Sequence, residues 1–358
     1  MANAERLGSL RVALAGYGLA GAAFHAPLVA ATEGLELTAV VTRDPGRRDQ
    51  LAAAHADVVA VDALEDALDG CDVVVVASPN RFHVPLAHAA VAAGKHVVVD
   101  KPLAVSAADG RALAQAAERA GVVLSPFHNR RWDDDFLTLR RTIEEGRLGR
   151  VLRVESRFDR WRPAIRQGAW REAGDPADGG GLLLDLGSHL VDQAVRLLGP
   201  VTAVYAELDL RRVGAVVEDD VFVALAHAGG ARSHLWAGVH AADDPPRFRV
   251  LGDTGAFVSY GLDQQEAALR AGATPLDAGF GRRDVEAVGG ASFHDGSGGP
   301  PAALEMERGR WSDFYAGFVA AIRDGGAPPV TAAEAVGVLE LLEAARISSA
   351  RGVVVAVG

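Results

Sequence analysis

The chain has 358 residues, with 36 basic against 47 acidic side chains, a formal net charge of −11, 49% hydrophobic residues and 6% aromatics. An acidic balance with a pI near 5.5 excludes a nucleic-acid partner, because phosphate backbones are held by clustered Lys and Arg. The one cysteine, Cys71, excludes a disulfide framework and a cysteine-based zinc site, and no apolar run reaches the roughly 18 residues of a membrane helix. Met1 to Leu10 lacks the basic stretch and apolar core of a signal peptide, so a soluble, cytoplasmic protein is expected. The length suits two domains better than one core.

In chain order, Arg11 to Ala15, Leu35 to Val41, Val73 to Ala77, His96 to Val99 and Val122 to Leu124 read as buried strands. Apolar runs of this kind, polar on neither face, suit a parallel sheet covered on both sides. Pro85 to Ala93 and Ala107 to Ala120 have helical spacing between them. Strand–helix alternation predicts a doubly wound α/β dinucleotide-binding domain over residues 1–125. Residues 126–358 then form a substrate-binding and oligomerisation domain.

In that second part Val151 to Trp161 alternates polar and apolar, and Val201 to Asp209, Val221 to Ala228, Arg232 to Ala237 and Phe248 to Leu251 look like further strands. Turn signals such as Ala228-Gly229-Gly230 suggest hairpins, hence an open, largely antiparallel sheet. One helix, Leu182 to Leu198, interrupts the strands, and Gly289 to Pro301 reads as a mobile loop. Two helices close the chain, Trp311 to Asp324 and Thr331 to Arg351, the second opened by a Thr331/Glu334 capping box.

Gly16-Tyr17-Gly18-Leu19-Ala20-Gly21 follows the first strand directly. Glycines there allow a tight turn and let a pyrophosphate approach the backbone N–H groups at the helix start, including those of Leu19 and Ala20. Pro27 should kink or shorten the helix that follows. At the end of the second strand, where an NAD enzyme places an acid on the ribose 2′-hydroxyl, the chain has Thr42-Arg43-Asp44. A hydroxyl and a guanidinium suit a 2′-phosphate, so NADP is favoured, with NAD the alternative. Asp44 could instead cap the next helix, and Arg47 and Arg48 could add charge.

Ser78-Pro79-Asn80 with His83 follows the third strand at its carboxyl end, where open α/β sheets bind ligands. Asn80 could bond the nicotinamide ribose or cap a helix, and both can hold. Asp100-Lys101-Pro102 occupies the corresponding position after the fourth strand. Lys is rare in this chain against Arg, and at the mouth of the sheet it could transfer a proton or orient substrate. It could equally be a surface lysine. On the interrupting helix, Asp185, His189, Asp192 and Arg196 share one face, opposite an apolar stripe of Leu183, Leu186, Leu190, Ala194 and Leu197. That face is either solvated or the floor of a cleft. In a cleft, Asp185 could orient the His189 imidazole for acid–base work, while a metal site there lacks a third ligand.

Together these motifs resemble the glucose–fructose oxidoreductase / inositol dehydrogenase / MocA-type family over essentially the whole chain. The resemblance rests on Gly16-x-Gly18-x-x-Gly21, Pro79-Asn80-x-x-His83, Gly94-Lys95-His96 leading to Asp100-Lys101-Pro102, and Gly180-Gly181 leading to Asp185-x-x-x-His189. It implies a Rossmann domain followed by an α+β domain whose open sheet builds a homodimer or homotetramer. The family's catalytic lysine, aspartate and histidine fall on Lys101, Asp185 and His189, and a cis Lys101–Pro102 peptide is implied. Asp100 departs from the family's usual Glu.

A narrower likeness, to an NADP-linked scyllo-inositol dehydrogenase-like branch, rests on Phe24-His25-Ala26-Pro27-Leu28, Phe127-His128-Asn129-Arg130-Arg131-Trp132-Asp133 and Phe158-Asp159-Arg160-Trp161-Arg162-Pro163. Asn129, Arg130, Trp132, Arg162 and Trp170 are then candidates for the substrate wall, since polyol rings stack on Trp and bond to Arg. The aromatics could equally be interface core. The expectation is an NAD(P)-dependent dehydrogenase, NADP favoured, acting on a secondary hydroxyl of a sugar or cyclitol. Alternatives are a diol, an amino sugar, a keto-sugar reductase, or a dinucleotide-binding regulator without chemistry.

Overall fold

A computed structural model describes residues 8–166, 168, 170–173 and 178–358, without the side chains of Trp170 and Ala173. The first sheet is parallel and contains β1 (Leu10–Ala15), β2 (Leu35–Val41), β3 (Val59–Val61), β4 (Val73–Val76), β5 (His96–Asp100) and β6 (Leu124–Phe127), in the order β3-β2-β1-β4-β5-β6. All four valines of β4 are buried, as expected of a central strand covered on both faces. The short strand β3 is additional to the sequence expectation, and β6 begins two residues later than its valine run suggests. The helices Ala107–Ala120 and His83–Ala92 lie close to their expected bounds.

The second sheet has nine strands: β7 (Val151–Asp159), β8 (Val201–Asp209), β9 (Asp220–His227), β10 (Arg232–Gly238), β11 (Phe248–Gly252), β12 (Ala256–Ser259), β13 (Ala291–His294), β14 (Ala302–Leu304) and β15 (Val355–Ala356). Their order is β14-β13-β12-β11-β7-β10-β9-β8-β15. The sheet is mostly antiparallel, with β7 and β10 paired in parallel, so the expected fold class holds. The supposed Gly289–Pro301 loop contains β13, which pairs with both β12 and β14. Its Gly and Pro content hid a strand whose apolar residues are few.

The end of the chain returns to the first sheet. Phe314 and Phe318 of the Ser312–Asp324 helix are fully buried in one cluster with Val12, Leu14, Val75 and Phe127. Val336 and Leu339 of the Ala332–Arg351 helix pack over Gly110, where a Cβ would come within 3.2 Å of Leu339. That helix starts with the expected Thr331/Glu334 capping box. Among the described residues no helix is long and apolar enough to cross a membrane.

Candidate active site

The glycine turn leaves β1 where the strand order reverses between β1 and β4, the point at which doubly wound sheets bind ligands. Gly16 has φ +107°, and a Cβ there would lie 2.6 Å from the Ala77 carbonyl oxygen; one at Gly21 would lie 2.1 Å from that of Gly16. Both positions therefore require glycine. At Gly18 a Cβ would meet nothing within 4 Å. That open space beside the turn is what an approaching pyrophosphate needs, so the turn fits a dinucleotide. The helix begins as a π-turn, Ala20–His25, and Pro27 sits at the start of the short α-helix Ala26–Ala30, which is the shortening its ring dictates.

At the end of β2, Thr42 is buried and Arg43 exposed, with the Arg43 Nε donating to the Asp62 carbonyl at 3.1 Å. Arg48 donates to the Thr42 carbonyl and to the Asp62 carboxylate. Asp44 caps the following helix by accepting from Arg47 N, so the alternative assignment of Asp44 is correct. Beyond β4, Ser78 and Pro79 lead into a short 3-10 turn, Asn80–Phe82. Asn80 is not its cap: its Nδ2 donates to the Gly179 carbonyl at 2.8 Å, and its Oδ1 is buried without a partner. His83 stands between two carbonyls, Nδ1 2.8 Å from Pro102 O and Nε2 2.9 Å from Ser78 O. Burial pushes this imidazole below the usual histidine range, so the neutral ring donates to one of them. It ties the β4 exit to the segment after β5.

A cleft of about 280 Å³ lies between the two sheets. Lys101, one residue past β5, extends into it, and the Lys101–Pro102 peptide is cis. The ammonium donates to the Asp185 carboxylate at 2.7 Å and also to the Asp185 carbonyl. Arg171 adds a second cation 3.4 Å from that carboxylate. Burial opposes the charge, but Lys101 and Arg171 outweigh it and hold the Asp185 carboxyl well below the ordinary 3.8. Asp100 beside it accepts from Lys101 N and faces His25, whose Nδ1 meets the Tyr315 hydroxyl at 2.6 Å. Despite its burial, the Asp100 carboxyl is pulled down to about 2 by His25 and Lys101.

The Asp185 segment is a π-turn, Leu183–Gly187, that runs into the α-helix Ser188–Leu198. Asp185 does not orient His189 as the spacing suggested, because its carboxylate is turned onto Lys101. The His189 ring lines the cleft while its Nδ1 is buried without a partner. Burial, then the positive field of Lys101 and Arg130, pushes the imidazole well below 6.5, so it is neutral at physiological pH. The rest of that helix face is buried at Asp192 and solvated at Arg196. Asp192 is buried and accepts from Arg131 at 2.9 and 2.6 Å, and Arg196 reaches Glu334.

Of the candidate wall residues, Asn129, Arg130 and Arg162 line the cleft. Trp132 does not; its ring stands edge-on to Phe314 at 5.8 Å, so its interface-core reading is the one that fits. The Trp170 side chain lies outside the described residues. Arg160 and Arg166 also line the cleft and were missed. Strand alternation back from Arg162 points to Arg160 two residues earlier, on the same side. Among the described residues no three His, Cys, Asp or Glu side chains group to hold a metal.

Two family models match this chain: the oxidoreductase family with an NAD-binding Rossmann fold over residues 10–128, and the GFO/IDH/MocA C-terminal domain over residues 136–258. The chain is 34% identical to the scyllo-inositol 2-dehydrogenase (NADP(+)) IolW of Bacillus subtilis, over 96% of this chain and 95% of that protein. It is 40% identical to YdgJ, an uncharacterized oxidoreductase of Escherichia coli, over 94% and 95%. The solved structure of yvaA from Bacillus subtilis superposes with a TM-score of 0.90 at 33% identity, covering 98% of this chain and all of that one. The chain belongs to the Gfo/Idh/MocA oxidoreductase family, with an NAD(P)-binding Rossmann fold.

Removing one partner of the Lys101–Asp185 pair strands a mostly buried charge. Asp185→Ala is expected to lower the unfolding free energy by about 3 kcal/mol, read from urea denaturation. Because the folded carboxyl lies below the ordinary 3.8, its stabilisation is present above that pH and lost as pH falls through the folded value. The gap between variant and wild type therefore narrows in acid; a gap independent of pH would show that the pair does not carry it.

Proposed function

We propose that this family member is an NADP-linked dehydrogenase that oxidises a secondary hydroxyl of a sugar or cyclitol, with Lys101, Asp185 and His189 as its working groups. The observation that carries this is a neutral, partly unsatisfied His189 beside a cationic Lys101 in a cleft next to the dinucleotide turn. Likeness to the scyllo-inositol 2-dehydrogenase (NADP(+)) IolW over nearly the whole chain supports the substrate class and the cofactor.

When bound, the nicotinamide accepts the hydride that leaves the carbinol carbon. The chain's own groups handle the rest. His189, neutral, takes the hydroxyl proton as the C–H bond breaks, so that alcohol becomes carbonyl with one proton on the imidazole. Lys101 donates to the same oxygen and stabilises the negative charge that grows on it. Asp185 holds Lys101 in place, acting on the substrate only through it. Gly16, Gly18, Leu19, Ala20 and Gly21 seat the pyrophosphate. Thr42 and Arg43 meet the 2′-phosphate, and Ser78, Pro79, Asn80 and Asp100 border the nicotinamide half, while His83, expected there from the sequence, is buried with both ring nitrogens on backbone carbonyls and acts by bracing that segment. The unpartnered Asn80 Oδ1 is an acceptor for a ribose hydroxyl.

We also infer a homodimer or homotetramer through the second sheet. On its outward face Phe222 and Trp236 pack at 5.2 Å and Arg157 lies 4.0 Å over the Trp236 ring. A single monomeric species in sedimentation equilibrium would exclude it.

With NADP⁺ and a panel of inositols, aldoses and diols, reduced cofactor should accumulate, and His189→Ala should abolish this while cofactor still binds. Cofactor binding without turnover on any member would favour a regulator. Oxidation needs the neutral imidazole, which exists above its lowered pKa. The acid limb of kcat/KM should therefore lie below pH 6.5, and a limb above it would contradict the environment of His189. Arg43→Ala should raise the Kd for NADP by about tenfold or more and leave NAD nearly unaffected; equal losses would refute the 2′-phosphate contact.

A further inference from the structure

Hydride transfer uses little of the positive charge in this cleft. Eight basic and five acidic side chains line it, in a chain of net charge −11. The acids are engaged: Asp185 with Lys101 and Arg171, Glu172 with Arg212, Glu266 with Arg130 and Arg270. Asp100 accepts from Lys101 N, and Glu218 accepts from Leu183 N and faces Arg346.

Three guanidinium groups remain. Arg160, Arg162 and Arg166 have no hydrogen bond or ion pair from their side chains among the described residues. Arg160 and Arg162 continue β7 as extended chain: their amides donate to the Gly238 carbonyl at 3.1 Å and the Val239 carbonyl at 2.8 Å. Between them Trp161 forms an isolated bridge to His240 and is exposed. Alternation thus sends both arginines to the cleft side and the tryptophan away. Burial holds Arg160 below the ordinary guanidinium range, Asp185 opposing and Arg130 adding to it, and burial with Arg160 and Arg166 does the same to Arg162. A guanidinium keeps its proton in a protein, so the repulsion persists. Arg130, more than nine-tenths buried, adds an Nε with no partner.

Crowded, partly desolvated donors with no carboxylate at contact distance among the described residues are matched by a planar or tetrahedral oxyanion, which guanidinium binds bidentately. Hydroxyl groups alone would leave the mutual repulsion uncompensated. The pyrophosphate seat proposed above borders this cleft only through the apolar Leu19 and Ala20, and Arg43, proposed for the 2′-phosphate, does not line it. We propose that the substrate is a sugar or cyclitol carrying an anionic substituent, a carboxylate or a phosphate, which sits on Arg160 and Arg162 while the reacting carbon lies at Lys101 and His189. This rests on the dehydrogenase reading above and narrows it to acidic substrates, with Arg166 as an auxiliary cation.

The test is calorimetric, on the whole protein saturated with NADP⁺, with glucose, glucuronate, glucose 6-phosphate, myo-inositol and myo-inositol 1-phosphate as probes. At least one acidic probe should bind about tenfold or more tighter than its neutral counterpart, and the margin should shrink with added salt. Glucuronate against glucose 6-phosphate tells carboxylate from phosphate. Arg160→Gln and Arg162→Gln should each remove most of the margin, and Arg160→Lys should keep part of it, all with NADP⁺ affinity retained. Acidic and neutral probes that bind equally, or not at all, overturn the proposal, as does a margin that survives both Gln variants. A parallel loss of NADP⁺ affinity would assign the arginines to the cofactor and overturn it too. Binding is read without turnover, so failure of hydride transfer on every polyol sinks the dehydrogenase reading separately.

Discussion

A lysine ammonium that leaves water at the junction of two sheets needs a carboxylate at contact distance, and the Lys101–Asp185 pair supplies this at 2.7 Å. Lys101 follows a strand of the first sheet, while Asp185 opens a helix that belongs to the second half of the chain. The ion pair therefore ties the halves together at the cleft, above the apolar core they share. With Asp185 committed to Lys101, His189 has no carboxylate of its own, and its burial beside cations keeps it neutral. The division of labour proposed above, between a charged donor and a neutral acceptor, rests on that one contact.

Beneath the cleft a second polar layer carries the load. Arg131 bridges Asp192 and Glu334, which couples the His189 helix to the capping box of the last long helix. Asp133 accepts from the Trp311 indole at 2.8 Å and pairs with Arg130, yet burial raises its carboxyl to about 7. Arg283 holds Asp134. Breaking any of these pairs would leave an uncompensated buried charge. Arg130 is thus held from below by Asp133 and from the side by Glu266, which fixes where its unpartnered Nε stands relative to Arg160.

The glycine turn was legible because its demands are local: Gly16 and Gly21 are required by contacts with nearby backbone, and their setting after a strand is written in the adjoining residues. The strand-end positions of Lys101 and Asn80 were legible for the same reason. Contacts across the fold were not. Asp185 and His189 sit four apart and suggest a stacked pair on an ideal helix, but the carboxylate went to a lysine 84 residues away. Trp132 has the residue type of a sugar platform and instead packs on Phe314, supplied by the end of the chain. Arg160 is placed at the cleft by its partner strand β10, whose Gly238 carbonyl accepts from its amide. The strand within Gly289–Pro301 has no alternation strong enough to be seen without its partners.

Two features of the cleft share a physical origin. The helix after the glycine turn and the helix that bears His189 both begin with a π-turn, Ala20–His25 and Leu183–Gly187. A π-turn inserts an extra residue per turn, widens the backbone and rotates the side chains that follow it. In the first, the widening precedes Pro27, whose missing N–H and fixed φ would otherwise break an α-helical ladder. In the second, the same insertion offsets Asp185 from the α-helical column that begins at Ser188. Asp185 can then reach across to Lys101 while His189 stays on the regular helix. Leu19, Ala20 and Phe24 from one turn and Asp185 and Leu186 from the other border a single cleft. The irregular backbone thus lies at the cleft, and regular helix resumes where only packing is required.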